Sequence, residues 1–447
     1  MCAMNARDPN CAIALAVSHD GSMAPDVFPH KSRQKGIILG WVSAMVLALL
    51  AMNSPAFAQD STGNTHAESK MNSRLAKRAI SKVIGSDISY VVMDAATSRI
   101  VSSRNADKAM LPASNMKIVT ATNALSTMSP TKVFTTSIFS GPTPNSVVLQ
   151  GGGDPLLTKF TLKTLASQTA ALIDPTEPLI VDTDVNLFPK ATDGPGWTKG
   201  YIPSVISPVT SLALYGDYTH TPIENAVTQF IDDMNALGIH ASRGLEVDVS
   251  AQAQPLTSVS PHTVTDAVHV MLLDSENNIA ENLFRHVALA TQHPPTWQGS
   301  SDAAIANLNL LGVDTAGLRL ADGSGVSRED RLNALSLAVI LRLTSTIDAA
   351  RFAVMFDSGS LPTAGVDGTL KAKFHRFTSR PSSCARGEIR AKTGTLHDTI
   401  TLSGTTHDAD GQLKVFSFLV NDQPANVIPL RTRQAIDGLA ATITGCW

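Results

Sequence analysis

Three short stretches hold residues whose types and spacing could do chemistry. In "PASNMKIVTA", residues 112–121, Ser114 precedes Lys117 by three positions at the start of an apolar, helix-like run. Residues three apart share a helix face, so a lysine amine placed there reaches the serine hydroxyl and can act as base to a nucleophile. The pair alone carries little, because Ser32 and Lys35 repeat the spacing elsewhere in the chain. "DSENN" sets Ser275, Glu276 and Asn277 ahead of an amphipathic run, and "AKTGTL" sets Lys392, Thr393, Gly394 and Thr395 on a strand-like stretch. Ser-x-Asn recurs at Ser103 to Asn105, whereas Lys-Thr-Gly occurs once.

The elements that must position these residues follow from periodicity and turn chemistry. "ISYVVMDAATSRIVSSRNA" reads as a hairpin around "AATS", Pro112 punctuates the entry to the helix carrying Lys117, and "GGGDP" reads as a tight loop among strand-like runs. From Pro261 the pattern is helical through "TVTDAVHVMLL", "NIAENLFRHVALATQ" and "LNALSLAVILRLTSTI". Strands return at "EIRAKTGTL", "TITLSGTTH" and "LKVFSFLVN", followed by a closing helix. This order predicts an α+β unit whose sheet is assembled from both ends of the chain, with a β-rich inserted domain. The expected boundaries are a signal peptide at 1–58, a linker at 59–78, the first part of the main domain at 79–133, the insert at 134–255 and the second part at 256–447.

Ser-x-x-Lys, Ser-x-Asn and Lys-Thr-Gly in this order are together the signature of penicillin-binding proteins and class A β-lactamases. "GGGDP", "GPGW", "DGSGVSREDRL", "LPTAGVDGTL" and "RAKTGTL" narrow the resemblance to the low-molecular-mass class C penicillin-binding proteins, the D-alanyl-D-alanine carboxypeptidases and endopeptidases, over residues from about 85 to 425. Two departures stand out. Glu276 replaces the usual aspartate, and the separation of 161 positions from Ser114 to Ser275 suggests that one inserted subdomain is reduced. The resemblance implies a penicillin-binding or β-lactamase-like transpeptidase fold, an antiparallel sheet with flanking helices, and acyl transfer on peptidoglycan peptides, with β-lactam antibiotics as covalent inhibitors. It casts Ser114 as nucleophile, Lys117 as base, made partly neutral by burial beside Lys392, and Ser275 as proton relay to the departing D-alanine nitrogen. Asn277 would hold the substrate amide. Lys392, Thr393, Gly394 and Thr395 would form the carboxylate-binding strand, with the backbone N–H groups of Ser114 and Thr395 as oxyanion hole.

No cofactor or metal enters that scheme. The histidines lack a His-Glu-x-x-His pattern, and His286 is expected at the surface or core edge. "GGGDP" is not followed by Gly-Lys-Ser/Thr, which argues against a phosphate loop, and Asp322, Ser324 and Arg328 are expected to order a wall of the site. Two other readings compete. A class A β-lactamase would need a Glu-x-x-Leu-Asn loop, and "EDRLN", Glu329 to Asn333, matches as text but reads as a helix start. A catalytically silent wall-binding module would have no reason to keep the serine and lysines.

The chain has 447 residues, 43% of them apolar, and a formal charge of -3, which disfavours nucleic-acid and polyanion partners. "HKSRQKG", the uncharged "GIILGWVSAMVLALLAM" and Ala56-Phe57-Ala58 together predict an export signal cleaved after Ala58, rather than a kept anchor. That leaves no transmembrane span in the mature chain and places it outside the cytoplasm. Cys384 and Cys446 are the two cysteines beyond the leader, and in an oxidising compartment they could pair or stay separate.

Overall fold

Strand β1 (Ile88–Asp94) is buried along its whole length, so each of its faces must meet a separate apolar layer. Its alternation shows how: Val91 and Met93 enter one core, while Ile88, Tyr90 and Val92 enter another. The computed structural model describes residues 66–357 and 359–447. The other strands of this sheet are β2 (Ile100–Arg104), β8 (Ile389–Thr395), β9 (Ile400–His407) and β10 (Leu413–Val420), in the order β2-β1-β10-β9-β8. All neighbours are antiparallel, so the two ends of the chain do build one sheet.

One face packs on helices Met116–Thr127, Val264–Asp274, Asn277–Ala290, Trp297–Leu310 and Ala334–Arg342. The opposite face carries helices His66–Ala79 and Pro429–Ile443. The helix Met116–Thr127 is nearly encased, with every residue from Met116 to Leu125 buried.

A second sheet has the order β6-β5-β4-β3-β7, from β3 (Thr136–Ser140), β4 (Ser146–Gln150), β5 (Leu179–Asp184), β6 (Ala241–Glu246) and β7 (Thr257–Val259). β4, β5 and β6 run parallel, and that arrangement needs crossover connections. Helices Lys159–Ala170 and Pro222–Ala236 supply them and bury Leu162, Leu165, Val227 and Phe230 against the strands. The inserted segment is therefore strand-rich with two long helices, and its sheet extends past 255 where β7 pairs with β3.

The stretch expected as a linker at 59–78 differs from that reading where it is described, because it is helical from His66. Met71, Leu75 and Ala79 recur every fourth residue and are buried, and the buried Glu68 pairs with Arg99 at 2.6 Å. The polar composition hid a narrow apolar stripe. The signal peptide expected at 1–58 lies outside the described residues, and among the described residues no helix is long and apolar enough to cross a membrane.

Cys384 and Cys446 are joined in a disulfide, with Cα atoms 6.2 Å apart and 62 residues of separation. The bond ties the segment before β8 to the end of the closing helix. A loop of that length predicts that Cys384→Ser loses about 4 kcal/mol of stability on the chain-entropy account. Thermal melts of Cys384→Ser and of the oxidised wild type check this, and coincident midpoints would contradict it.

Candidate active site

Ser114 sits in a single 3-10 turn, Ala113–Asn115, that feeds directly into helix Met116–Thr127. Ala113 has φ of 47°, a left-handed conformation that costs a non-glycine residue energy and persists only where surroundings enforce it. The enforcement is visible on both sides. Pro112 O accepts from Thr401 Oγ1 at 2.9 Å, and Asn115 Nδ2 donates to Ser403 Oγ at 2.6 Å, which pins the turn to β9. A Cβ on Gly394 would lie 2.1 Å from Thr401 Oγ1 and 3.0 Å from Ala113 Cβ, while one on Gly325 would lie 1.9 Å from Ala113 O. Glycine in both motifs is thus what lets the serine turn sit between β8 and the loop 321–327.

Lys117 is fully buried, one turn below the serine. Its Nζ lies 3.2 Å from Ser114 Oγ and donates to Asn277 Oδ1 and Ser324 O, both at 2.7 Å. A neutral amine has two hydrogens and one lone pair. With both hydrogens engaged by the two oxygens, the lone pair is left facing the serine hydroxyl, as a general base requires. Burial pushes the amine from its ordinary value down to about 8, against the opposing pull of Asp322, Glu281, Glu276 and Asp330. The leading cause is burial itself rather than the neighbouring cation. Lys392 is held well below its ordinary value by burial first and by Lys117 second.

Ser275 ends helix Val264–Asp274 in a left-handed conformation, φ 64°, which turns its hydroxyl out of the helix line. Lys392 Nζ donates to Ser275 Oγ at 2.8 Å and to Thr393 O at 3.0 Å. Asn277 opens helix Asn277–Ala290, and its Nδ2 donates to Val205 O at 2.7 Å, so the amide bridges Lys117 and the inserted segment. Because Val205 O only accepts, the orientation of the amide is fixed chemically. The sequence predicts only a substrate contact for Asn277; the structure adds the hydrogen bond from Lys117. Glu276, the departure from aspartate, accepts from Tyr218 OH of the insert, a partner the sequence did not suggest. Thr393 is buried and shares a hydrogen bond with Thr369 at 2.8 Å, and Thr395 ends β8 exposed.

The loop 321–327 forms one wall. Asp322 accepts from Gly325 N at 2.7 Å, Ser327 N at 2.8 Å and Trp197 Nε1 at 2.9 Å, joining "DGSGVSR" to "GPGW". Arg328 makes a two-toothed pair with Asp398 at 2.6 and 2.8 Å. Glu329 pairs instead with Arg319 on the exposed side, and Asn333 caps helix Ala334–Arg342 by accepting from Ser336 N at 2.7 Å. Of "EDRLN", Asn333 alone caps the helix, while Arg331 and Leu332 bridge to Arg319 and Met110.

His286 corrects its expected place at the surface or core edge. It is buried between Phe134 and Phe188, pairs with Gly153 O at 2.9 Å and is pushed by burial to about 4. Helical spacing alone could not show that the "GGGDP" turn closes over it. Among the described residues, no three His, Cys, Asp or Glu side chains form a group that could hold a metal.

Residues 68–222 and 218–443 match the D-Ala-D-Ala carboxypeptidase 3 (S13) family. Carboxypeptidase DacB of Mycolicibacterium smegmatis is 30% identical over 380 residues, covering 79% of this chain and 80% of that protein. A carboxypeptidase of Mycobacterium tuberculosis is 29% identical, covering 79% of each. Among solved structures, penicillin-binding protein 4 of Haemophilus influenzae superposes with a TM-score of 0.72 over 83% of this chain and 99% of that one. At 19% identity, that likeness supports the fold.

Proposed function

The chain belongs to the D-Ala-D-Ala carboxypeptidase 3 (S13) family, and from that membership we propose how its residues divide the work of a serine D-alanyl-D-alanine carboxypeptidase. Ser114 attacks the carbonyl between the two terminal D-alanines, and Lys117 takes the hydroxyl proton. The N–H groups of Ser114 and Thr395 hold the oxyanion. Ser275, held by the hydrogen bond from Lys392, relays the proton from Lys117 to the departing D-alanine nitrogen, which leaves Lys117 neutral again. Lys392, Thr393, Gly394 and Thr395 form the strand that receives the terminal carboxylate, and the arriving negative charge favours the charged form of Lys392. Asn277 holds both Lys117 and the substrate amide. Water then hydrolyses the ester on Ser114, releasing the shortened peptide. The same site can accept a cross-linked peptide, so endopeptidase cleavage fits this chemistry.

The observation that carries the reading is the arrangement around Lys117, with two oxygens at 2.7 Å and the serine at 3.2 Å. Mass analysis of a peptide ending in D-Ala-D-Ala tests it: loss of one alanine per peptide is expected, and unchanged peptide would overturn it. Peptidoglycan stem peptides as substrate and β-lactams as covalent inhibitors follow from the same site; the Haemophilus influenzae protein has itself been solved with a β-lactam. The export signal read at 1–58 and the disulfide agree with work outside the cytoplasm.

The β-lactamase alternative makes a different prediction. With Glu329 turned to Arg319, no group on that loop activates water against a penicilloyl ester. Bound penicillin should persist for many minutes, and Glu329→Gln should leave its lifetime within about 2-fold of wild type, since a surface ion pair contributes little. Rapid turnover that collapses in Glu329→Gln would make the glutamate a deacylation base.

A further inference from the structure

Glu281 is fully buried and has no part in the chemistry above, yet its contacts lead back to the reacting atoms. It stands one turn after Asn277 on the same face of helix Asn277–Ala290. Its carboxylate accepts from Ser324 N at 2.8 Å and from Gly323 N at 3.0 and 3.2 Å. On the far side of that backbone, Ser324 O accepts from Lys117, and Gly323 O accepts from Thr120 Oγ1 at 2.6 Å. A Cβ on Gly323 would lie 2.6 Å from Phe284 Cβ and 2.7 Å from Ala280 O, so the loop is seated directly on the helix. One helix therefore controls both acceptors of the lysine hydrogens, Asn277 directly and Ser324 through Glu281.

We propose that Glu281 is a positioning residue for the base: by holding the Gly323 and Ser324 amides it aims the Ser324 carbonyl at Lys117, which keeps the amine lone pair on Ser114. Without that carbonyl the amine can rotate and present a hydrogen to the hydroxyl it must deprotonate. The inference rests on the reading of Lys117 as base.

The charged surroundings set the choice of variants. Glu281 faces Asp322 and Arg285, and Arg285 in turn stacks over Trp297 at 3.9 Å. Lys117 is faced by Asp322, Glu281, Glu276 and Asp330, with Lys392 beside it. Burial, with Asp322, raises the proton affinity of Glu281, so a neutral glutamine is a fair mimic that keeps one accepting oxygen. E281L removes the acceptor, and E281D keeps the charge but withdraws the oxygens by one methylene.

The test is the rate constant for acylation by a fluorescent penicillin across pH, measured on the full chain of each variant and of Lys117→Met. E281Q is expected within about 3-fold of wild type, and E281L and E281D to lose about 10- to 100-fold in the acylation step with little change in initial binding, the scale of a base misplaced by about 1 Å. In E281L the acid limb of the profile should also move to lower pH, because the ammonium has lost an acceptor. If E281L fails to fold, E281D carries the comparison. E281D acylating at the wild-type rate overturns the proposal, as does E281Q falling as far as E281D, since glutamine keeps an accepting oxygen where the loop amides need it. Lys117→Met at the wild-type rate would instead overturn the reading on which the inference rests.

Discussion

Ser114→Ala is expected to abolish both D-alanine release and covalent labelling by penicillin, with kcat lower by at least about 10⁴-fold. The magnitude follows from the site being built around one hydroxyl. The left-handed Ala113, the pins from Thr401 and Ser403, and the close approach of Gly325 and Gly394 all serve to hold this turn. Ser275 lies against Lys392 instead, outside the turn that Thr401 and Ser403 hold. The alanine variant loses one hydroxyl from a half-buried position and should fold as the wild type does. Circular dichroism and melting, run beside the labelling assay, check that the loss is chemical. Labelling that survived would remove Ser114 from the role.

Lys117→Met is expected to slow acylation by about 10²- to 10⁴-fold, the range of a positioned general base. Methionine keeps the length and apolar packing of the buried stem, so the comparison isolates the amine. The pH dependence carries more information than the loss. A base works when it is unprotonated, and burial has brought Lys117 to about 8. Second-order acylation by penicillin should therefore rise with pH through about 8 in the free enzyme and level off above it. The two buried amines interact, so the midpoint belongs to Lys117 and Lys392 together. A rate flat from about pH 6 to about pH 9 would mean that the lysine does not limit proton removal.

The proposed catalytic groups can be picked out of the sequence because their chemistry restricts residue type at short spacing. A helix turn brings Lys117 to Ser114, and a strand presents Lys392, both readable from local periodicity. What escaped the sequence are contacts made across long stretches of chain by groups that look ordinary locally. Glu281 reads as one more acid on a helix, and its meaning comes from Ser324, whose carbonyl meets Lys117 across 207 residues. Tyr218 and Val205 belong to the insert and reach Glu276 and Asn277 over 58 and 72 residues. A signal was nonetheless present: Glu281 lies four residues after Asn277, on the face that had already been given chemistry.

The linker expected at 59–78 departs from the structure for a similar reason. His66–Ala79 is polar enough to pass for a linker, and its three buried positions gain meaning from the closing helix and sheet edge against which they pack. His286 is the converse. A histidine on a helix carries no mark of burial until the "GGGDP" turn supplies its carbonyl partner. "EDRLN" shows how a textual match can mislead, since the spacing that gives a class A β-lactamase a water-activating loop here gives Glu329 an exposed ion pair with Arg319 and Asn333 a helix cap.

The central claim is that the acyl group rests on Ser114, and peptide mapping of the penicillin adduct tests it most directly. Trypsin should release residues 109–117, "AMLPASNMK", in which Ser114 is the one hydroxyl. The protein reacted with a β-lactam should yield this peptide heavier by the mass of the intact antibiotic, with fragmentation placing the addition on Ser114. An adduct on any other peptide, or unmodified 109–117 from fully labelled protein, would contradict the account.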